Sequence, residues 1–223
     1  MLVDDHAPFR KAVAELLAAE HDFELVGEAS DGAQALEMAR ELMPDVVLMD
    51  ISMPGVDGLE ATRRIKAEIP CVRIVILTAS ECGRSHLEAL KRGAHGCLQK
   101  AVEPRVLLDT LRRVARGEPS ISRGLAALLL EDLAWGSPPT PSPAPLGVEV
   151  TRRERESLEL VAQGRSIQEA SAALGLAENA VSNHLANLLE KLHIGERVQA
   201  AGRALRRQPA ARPDEVEREV MSR

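Results

Sequence analysis

The sequence contains no tyrosine, two phenylalanines and one tryptophan in 223 residues. So few rings exclude base stacking as the main binding device. No apolar run reaches the roughly 18 residues of a membrane span, and the N-terminus lacks the basic start and apolar stretch of a signal peptide. A cytoplasmic protein with no membrane partner is expected. Cysteine is also sparse. Cys71, Cys82 and Cys97 are odd in number, scattered, and form no CxxC pair. That spacing suits neither a disulfide framework nor a zinc site, so reduced thiols are expected.

What is present is aliphatic and unevenly charged. The 45% hydrophobic content is mostly Ala, Leu and Val, enough for a core in one large domain or two smaller ones. The net charge of −6 conceals an asymmetry. Residues 1–135 hold 16 basic against 22 acidic side chains, a net of −6, whereas residues 150–207 hold 9 against 7, a net of +2. An acidic unit followed by a mildly basic one allows different partners for the two halves. The small excess does not by itself establish a nucleic-acid surface. Between them, GSPPTPSPAP (136–145) carries five prolines in ten residues and reads as a semi-extended spacer. Residues 208–223 are polar and charged, as expected of a flexible tail.

Within 1–135, strand-like and helix-like patterns alternate. Phe9, Val13, Leu16 and Leu17 share a helical face, and Phe23 to Glu28 reads as a strand. Leu36, Ala39 and Leu42 precede the strand Asp45–Met49; Leu59, Thr62 and Ile65 precede RIVILT at 73–78. Leu87 and Leu90 precede HGCLQ at 95–99, and Val106, Leu107, Leu111 and Val114 mark a last helix. Five β-α units predict an α/β domain with a doubly wound five-stranded parallel sheet. Ligands of such sheets sit beyond the carboxyl ends of the strands.

Polar residues gather at those ends. The most apolar strand, VVLMD, closes on Asp50; the first ends in Asp4 and Asp5, the fourth in Thr78 and the fifth in Lys100. Strands one and three are expected to be neighbours, which crowds three carboxylates together. Their mutual repulsion calls for a hard divalent cation, and Mg²⁺ suits carboxylate oxygens. Lys100 adds a point charge for an anion and Thr78 a hydroxyl donor. Singly, an acidic pair after a strand is a helix cap, and a strand-end Thr or Lys is merely solvated. Together, the four make a site for phosphorylating a carboxylate oxygen.

The motifs VDDH, VVLMDISMPGVDGLEATRRI, ILTAS and GAHGCLQK resemble the receiver domain of two-component response regulators, over residues 1–118. The resemblance implies a flavodoxin-like fold with Asp50 as phospho-acceptor. It implies Asp4, Asp5, Asp50 and the Ser52 carbonyl as Mg²⁺ ligands, with Thr78 and Lys100 as the switch pair. Two departures stand out. The usual switch aromatic on strand five is replaced by Cys97, and only Met1, Leu2 and Val3 precede the acidic pair.

After a connecting helix and the proline-rich linker (119–147), residues 148–207 read as an all-α domain of four short helices. Ser166 and Glu169 have capping-box spacing at the second helix. A third helix runs from Glu178 to Leu192 with Val181, Leu185, Leu188 and Leu192 as its inward stripe. A helix-turn-helix fits this pattern, and an ordinary helical bundle fits it equally well. VTRRERESLELVAQGRS and LGLAENAVSNHLANLLEKLHIGERVQAAGRAL resemble the LuxR-type DNA-binding domain, which joined to a receiver gives the NarL/FixJ group.

That second resemblance implies double-stranded promoter DNA as a partner, read by Ser182, Asn183, Ala186 and Asn187. Arg152, Arg153, Arg165, Lys191 and Arg197 are expected to neutralise phosphates. It further implies a sensor histidine kinase as phosphate donor, RNA polymerase as a contact at promoters, and a homodimer through a fourth helix at 196–205. No Lys or Arg lies between Glu178 and Glu190, so weak binding with a shallow salt slope is expected. His184 is expected to pack or cap rather than contact a base. Two rival readings remain. One is an interaction protein whose helix-turn-helix no longer binds DNA. The other is an aspartyl-phosphate hydrolase, which would need a second acid at the position of Ser52; no catalytic residue is therefore expected.

Overall fold

The computed structural model describes residues 1–79, 83–135 and 150–207, and among these the side chains up to 133 and from 150 to 193. The proline-rich segment and the C-terminal tail singled out above lie outside the described residues.

Runs of β-branched and aliphatic residues with no polar interruption can be buried on both faces, which suits the centre of a parallel sheet. Val46–Asp50 (β3) and Arg73–Thr78 (β4) take that place, flanked by Leu2–Val3 (β1), Glu28–Ala29 (β2) and Gly96–Gln99 (β5). The order is β2-β1-β3-β4-β5, with every pair parallel. Side-chain alternation divides the strands between two apolar clusters. Val3, Val47, Met49, Ile74 and Ile76 pack with α2 (Gly32–Leu42), α3 (Gly58–Glu68) and α4 (Arg84–Lys91). Leu2, Leu48, Val75 and Leu77 pack with α1 (Ala7–Ala18) and α5 (Pro104–Ala115). The chain leaves β1 toward one edge and returns on its other side as β3, so the switch point of the sheet lies between them.

The second strand differs from expectation. Pairing begins only where Leu2 N–H donates to Gly27 O at 3.0 Å, and the strand is Glu28–Ala29 rather than Phe23–Glu28. β1 offers ladder partners to those two residues alone. Phe23 instead places its ring 5.3 Å from the Arg112 guanidinium carbon, and Leu25 joins the α1–α5 cluster.

The C-terminal region begins with α7 (Arg152–Ala162), capped reciprocally by Thr151 and Glu154. The expected box at α8 (Ile167–Leu174) is present: Glu169 N–H donates to Ser166 Oγ at 3.1 Å, and Ser166 N–H to Glu169 Oε2 at 2.8 Å. Gly175, at φ +64°, stops α8 in the left-handed conformation that glycine adopts without strain. The third and fourth helices expected from the sequence are one, α9 (Glu178–Arg207). A glycine in a helix interior costs about 1 kcal/mol relative to Ala. That penalty at Gly195 does not break the run. The side chains expected to make a dimer contact there lie outside the described residues.

The two regions share an apolar core. Helix α6 (Arg123–Trp135) buries Leu125, Ala126 and Leu129 completely, in one cluster with Leu87 and Leu90 of α4, Leu158 of α7 and Leu188 of α9. Lys91 Nζ meets Asp132 Oδ1 at 2.9 Å, tying α4 to α6. At the sheet-side edge of this seam the His95 and His193 rings meet edge to face, 5.7 Å apart. Burial pushes His95 down to about 3 and His193 to about 4, helped by the positive charge of Lys66 near both and of Arg73 near His95.

His193 is thus neutral when docked and protonates more readily once released, near the ordinary value of 6.5, whereas His95 keeps Lys66, Arg73 and the Ile74 N–H beside its ring. Docking is expected at full strength above pH 6.5. It weakens as the pH falls toward 4, by about 1.4 kcal/mol per pH unit for the released His193. Small-angle scattering should give a larger radius of gyration at pH 5 than at pH 7.5. An unchanged radius would contradict the role of this pair.

Candidate functional site

Asp50 ends β3 with 3% of its surface exposed. The loop after it folds back tightly: Gly58 N–H donates to Ile51 O at 3.0 Å, and a Cβ at Gly58 would stand 1.8 Å from Asp50 O. Only glycine permits that approach, and it fixes the backbone that carries the carboxylate. Asp4 follows β1, fully buried; its N–H donates to Ala29 O at 3.1 Å and its Oδ1 accepts from His6 N–H at 2.9 Å. Asp5 is exposed. Each of the three carboxylates offers an oxygen within 4.8 Å of the others. The sequence-derived expectation that β1 and β3 bring them together is met.

Lys100 reaches into this group from beyond β5. Its N–H donates to Thr78 O at 2.7 Å, and its ammonium lies 2.7 Å from Asp4 Oδ2 and 3.0 Å from Asp50 Oδ2. Burial pushes the Asp50 carboxyl above the usual carboxylate range; hydrogen bonding and charge from Lys100 pull it down, Asp4 pushes it up, and the Ser52 N–H pulls it down. The Lys100 ammonium is opposed by its own burial, yet hydrogen bonds and charge from Asp4 and Asp50 hold it above its ordinary value. Asp4 Oδ2 is buried and faces the Lys100 ammonium at 2.7 Å. A hard-oxygen donor set with one such buried oxygen fits Mg²⁺, which needs few protein ligands and keeps several waters.

The remaining expected residues stand around the pocket. Thr78 is buried at the end of β4, aligned with Gln99 of β5. Ser52 is exposed on the loop after Asp50. Cys97 is buried opposite Ile76, its Sγ 3.8 Å from His86 O on α4. A small thiol thus occupies the strand-five position facing α4.

On α9, Asn183 and Asn187 are exposed, Ala186 is half-buried and Ser182 is 9% exposed. Ser182, Ala186, Leu189 and His193 follow one stripe at spacings i, i+4, i+7 and i+11. Its far end, His193, lies beside α4 near the backbone of Leu90 and Ala94. Lys191 Nζ lies 2.9 Å from the buried Glu154 carboxylate, joining α9 to the first turn of α7. Arg152 pairs with Glu156 at 2.7 Å while largely exposed, and Arg153 pairs with the same carboxylate at 3.1 Å. Arg165 is exposed before α8, and Arg197 lies outside the described side chains.

Three contributors were not anticipated from the sequence. Arg10 Nη1 donates to Asp4 O at 2.6 Å. The Phe9 ring centroid lies 5.0 Å from Lys100 Nζ. His95 meets His193 across the seam. The last two join positions distant in sequence, so no local pattern announces them.

Comparison with known proteins gives consistent matches. The model for the response regulator receiver domain matches residues 1–112, and that for bacterial regulatory proteins of the luxR family matches residues 149–204. The chain is 36% identical over 201 residues to the nitrate/nitrite response regulator protein NarL of Escherichia coli, covering 90% of this chain and 92% of that one. It is 35% identical over 202 residues to the transcriptional regulatory protein LiaR of Bacillus subtilis, covering 90% and 93%. A crystal structure of a two-component response regulator of the LuxR family from Aurantimonas sp. SI85-9A1 superposes with a TM-score of 0.55 at 34% identity, covering 59% of this chain and 94% of that one. An acid-lined sheet edge, a helix-turn-helix and relatives aligned along nine-tenths of the length converge, and the chain belongs to the NarL/LuxR-type response regulators, phosphorylation-dependent DNA-binding regulators of transcription.

Proposed function

We propose that Asp50 accepts a phosphoryl group from a sensor histidine kinase, and that its arrival frees α8–α9 to bind promoter DNA. The observation that carries this reading is the juxtaposition at one sheet edge of a buried carboxylate, two further acids and an ammonium. An Asp50 oxygen attacks phosphorus as the bond from phosphorus to the kinase imidazole nitrogen breaks. Asp4, Asp5 and Asp50, with the Ser52 carbonyl, would hold Mg²⁺, which when bound neutralises charge on the phosphoryl oxygens. Lys100 leaves Asp4 for a phosphoryl oxygen, and the Thr78 hydroxyl donates to another.

About 1.5 to 2 negative charges arrive at Asp50 near neutral pH. Lys100 sits directly after β5, and β5 leads back to His95 at the seam, so movement of this strand biases docking of α9. Cys97 lacks the bulk of an aromatic ring, and coupling through β5 therefore rests on backbone and seam contacts more than on a swinging side chain. Released domains would pair as a homodimer, setting two recognition helices about 34 Å apart on direct or inverted half-sites. Asn183 and Asn187 suit adenine edges. Arg152, Arg165 and Lys191 would meet phosphates after exchanging their carboxylate partners or solvent.

The second reading, an interaction protein that does not bind DNA, is favoured by the absence of Lys and Arg between Glu178 and Glu190. Gel-shift titration against genomic fragments, with and without acetyl phosphate, separates the two. A retarded species at lower protein concentration after phosphorylation is expected. No retarded species at low salt in either state would favour the interaction protein.

A further inference from the structure

The ammonium of Lys100 is held from two sides. Asp4 and Asp50 face it as anions, and the ring of Phe9, in the first turn of α1, lies 5.0 Å from it. Lys100 is only 19% exposed, so the ring's negative face acts on a partly desolvated charge. Phe9 itself is half-buried against the α1–α5 cluster, which fixes the ring independently of Lys100. A cation that takes oxygens from Asp4 and Asp50 must first move this ammonium, because the same oxygens cannot serve both at full strength.

We propose that Phe9 is a positioning residue that parks Lys100 on Asp4 and Asp50 in the unphosphorylated protein, so that the lysine competes with Mg²⁺ for the pocket. The inference rests on reading Asp4, Asp5 and Asp50 as the metal-holding group. Its consequence is a threshold: the pocket is self-neutralised at rest, and Mg²⁺ enters against the combined hold of two carboxylates and one ring. Removing the ring leaves the lysine less firmly parked and makes the metal bind more tightly, the reverse of what loss of a supporting residue would do.

The test is a Mg²⁺ titration of the full chain by calorimetry, without phosphoryl donor. Phe9→Leu is expected to tighten binding about two- to fivefold, and Phe9→Tyr to keep the original affinity. Lys100→Met should tighten it further and abolish the effect of a second Phe9→Leu change. An unchanged affinity in Phe9→Leu, or an equal shift with and without Lys100, would overturn the inference while leaving the metal pocket intact. Failure of every variant and of the original chain to take up Mg²⁺ would overturn both.

Discussion

Asp50→Asn should abolish uptake of acid-labile phosphate from acetyl phosphate, by on the order of a hundredfold or more. The amide fills the same space at the end of β3 but is a poor nucleophile. It also removes one of two carboxylates that face Lys100. The remaining acids do not substitute: Asp4 is committed to His6 N–H and Lys100, and Asp5 is exposed on the loop. Labelled phosphate in the full chain and the variant, compared after acid and neutral washes, measures the effect. Persistent labelling of Asp50→Asn would place the acceptor elsewhere.

Leu129→Asp should bind DNA without phosphorylation. Leu129 is fully buried in α6, within the cluster that joins α4 of the receiver to α7 and α9. An unpaired carboxylate there is incompatible with an apolar environment and costs several kcal/mol, enough to expel α6 from the seam. Receiver and helix-turn-helix retain the rest of their own packing, including Ile65 and Ile74 in the receiver and Val181 and Leu185 in α9. In gel shifts without acetyl phosphate, the variant should match the phosphorylated original chain. DNA binding as dependent on phosphorylation as before would show that the shared core does not restrain the effector.

The active edge was legible because its signals are local. A carboxylate closing an apolar strand, acids after the first strand and a lysine after the last each sit at a fixed offset from a strand end. The sheet then brings them together without further information. The capping box at Ser166 and Glu169 was legible for the same reason. Features that failed to show depend on distant partners. Phe23 looks like a strand residue until Arg112, 89 positions away, offers its guanidinium. Gly195 looks like a helix break, yet the backbone of α9 runs through it. The ion pair of Lys191 with Glu154, 37 positions away, is likewise invisible in the sequence. Phe9 reads as a core position and does pack against the core, but its ring also lies against the Lys100 ammonium. The docked seam could not be read at all, since α6 has the apolar content of an ordinary buried helix and nothing in its sequence says which two faces it covers.

The most direct test of phosphorylation-controlled docking is amide hydrogen exchange in α4, α6 and α9, followed with and without acetyl phosphate and Mg²⁺, with the phosphoryl group located by mass on the Asp50 peptide. Faster exchange along Leu125–Leu129 and Val181–His193 in the phosphorylated chain is the expected result. Identical exchange in both states, with the phosphoryl group present on Asp50, would contradict it.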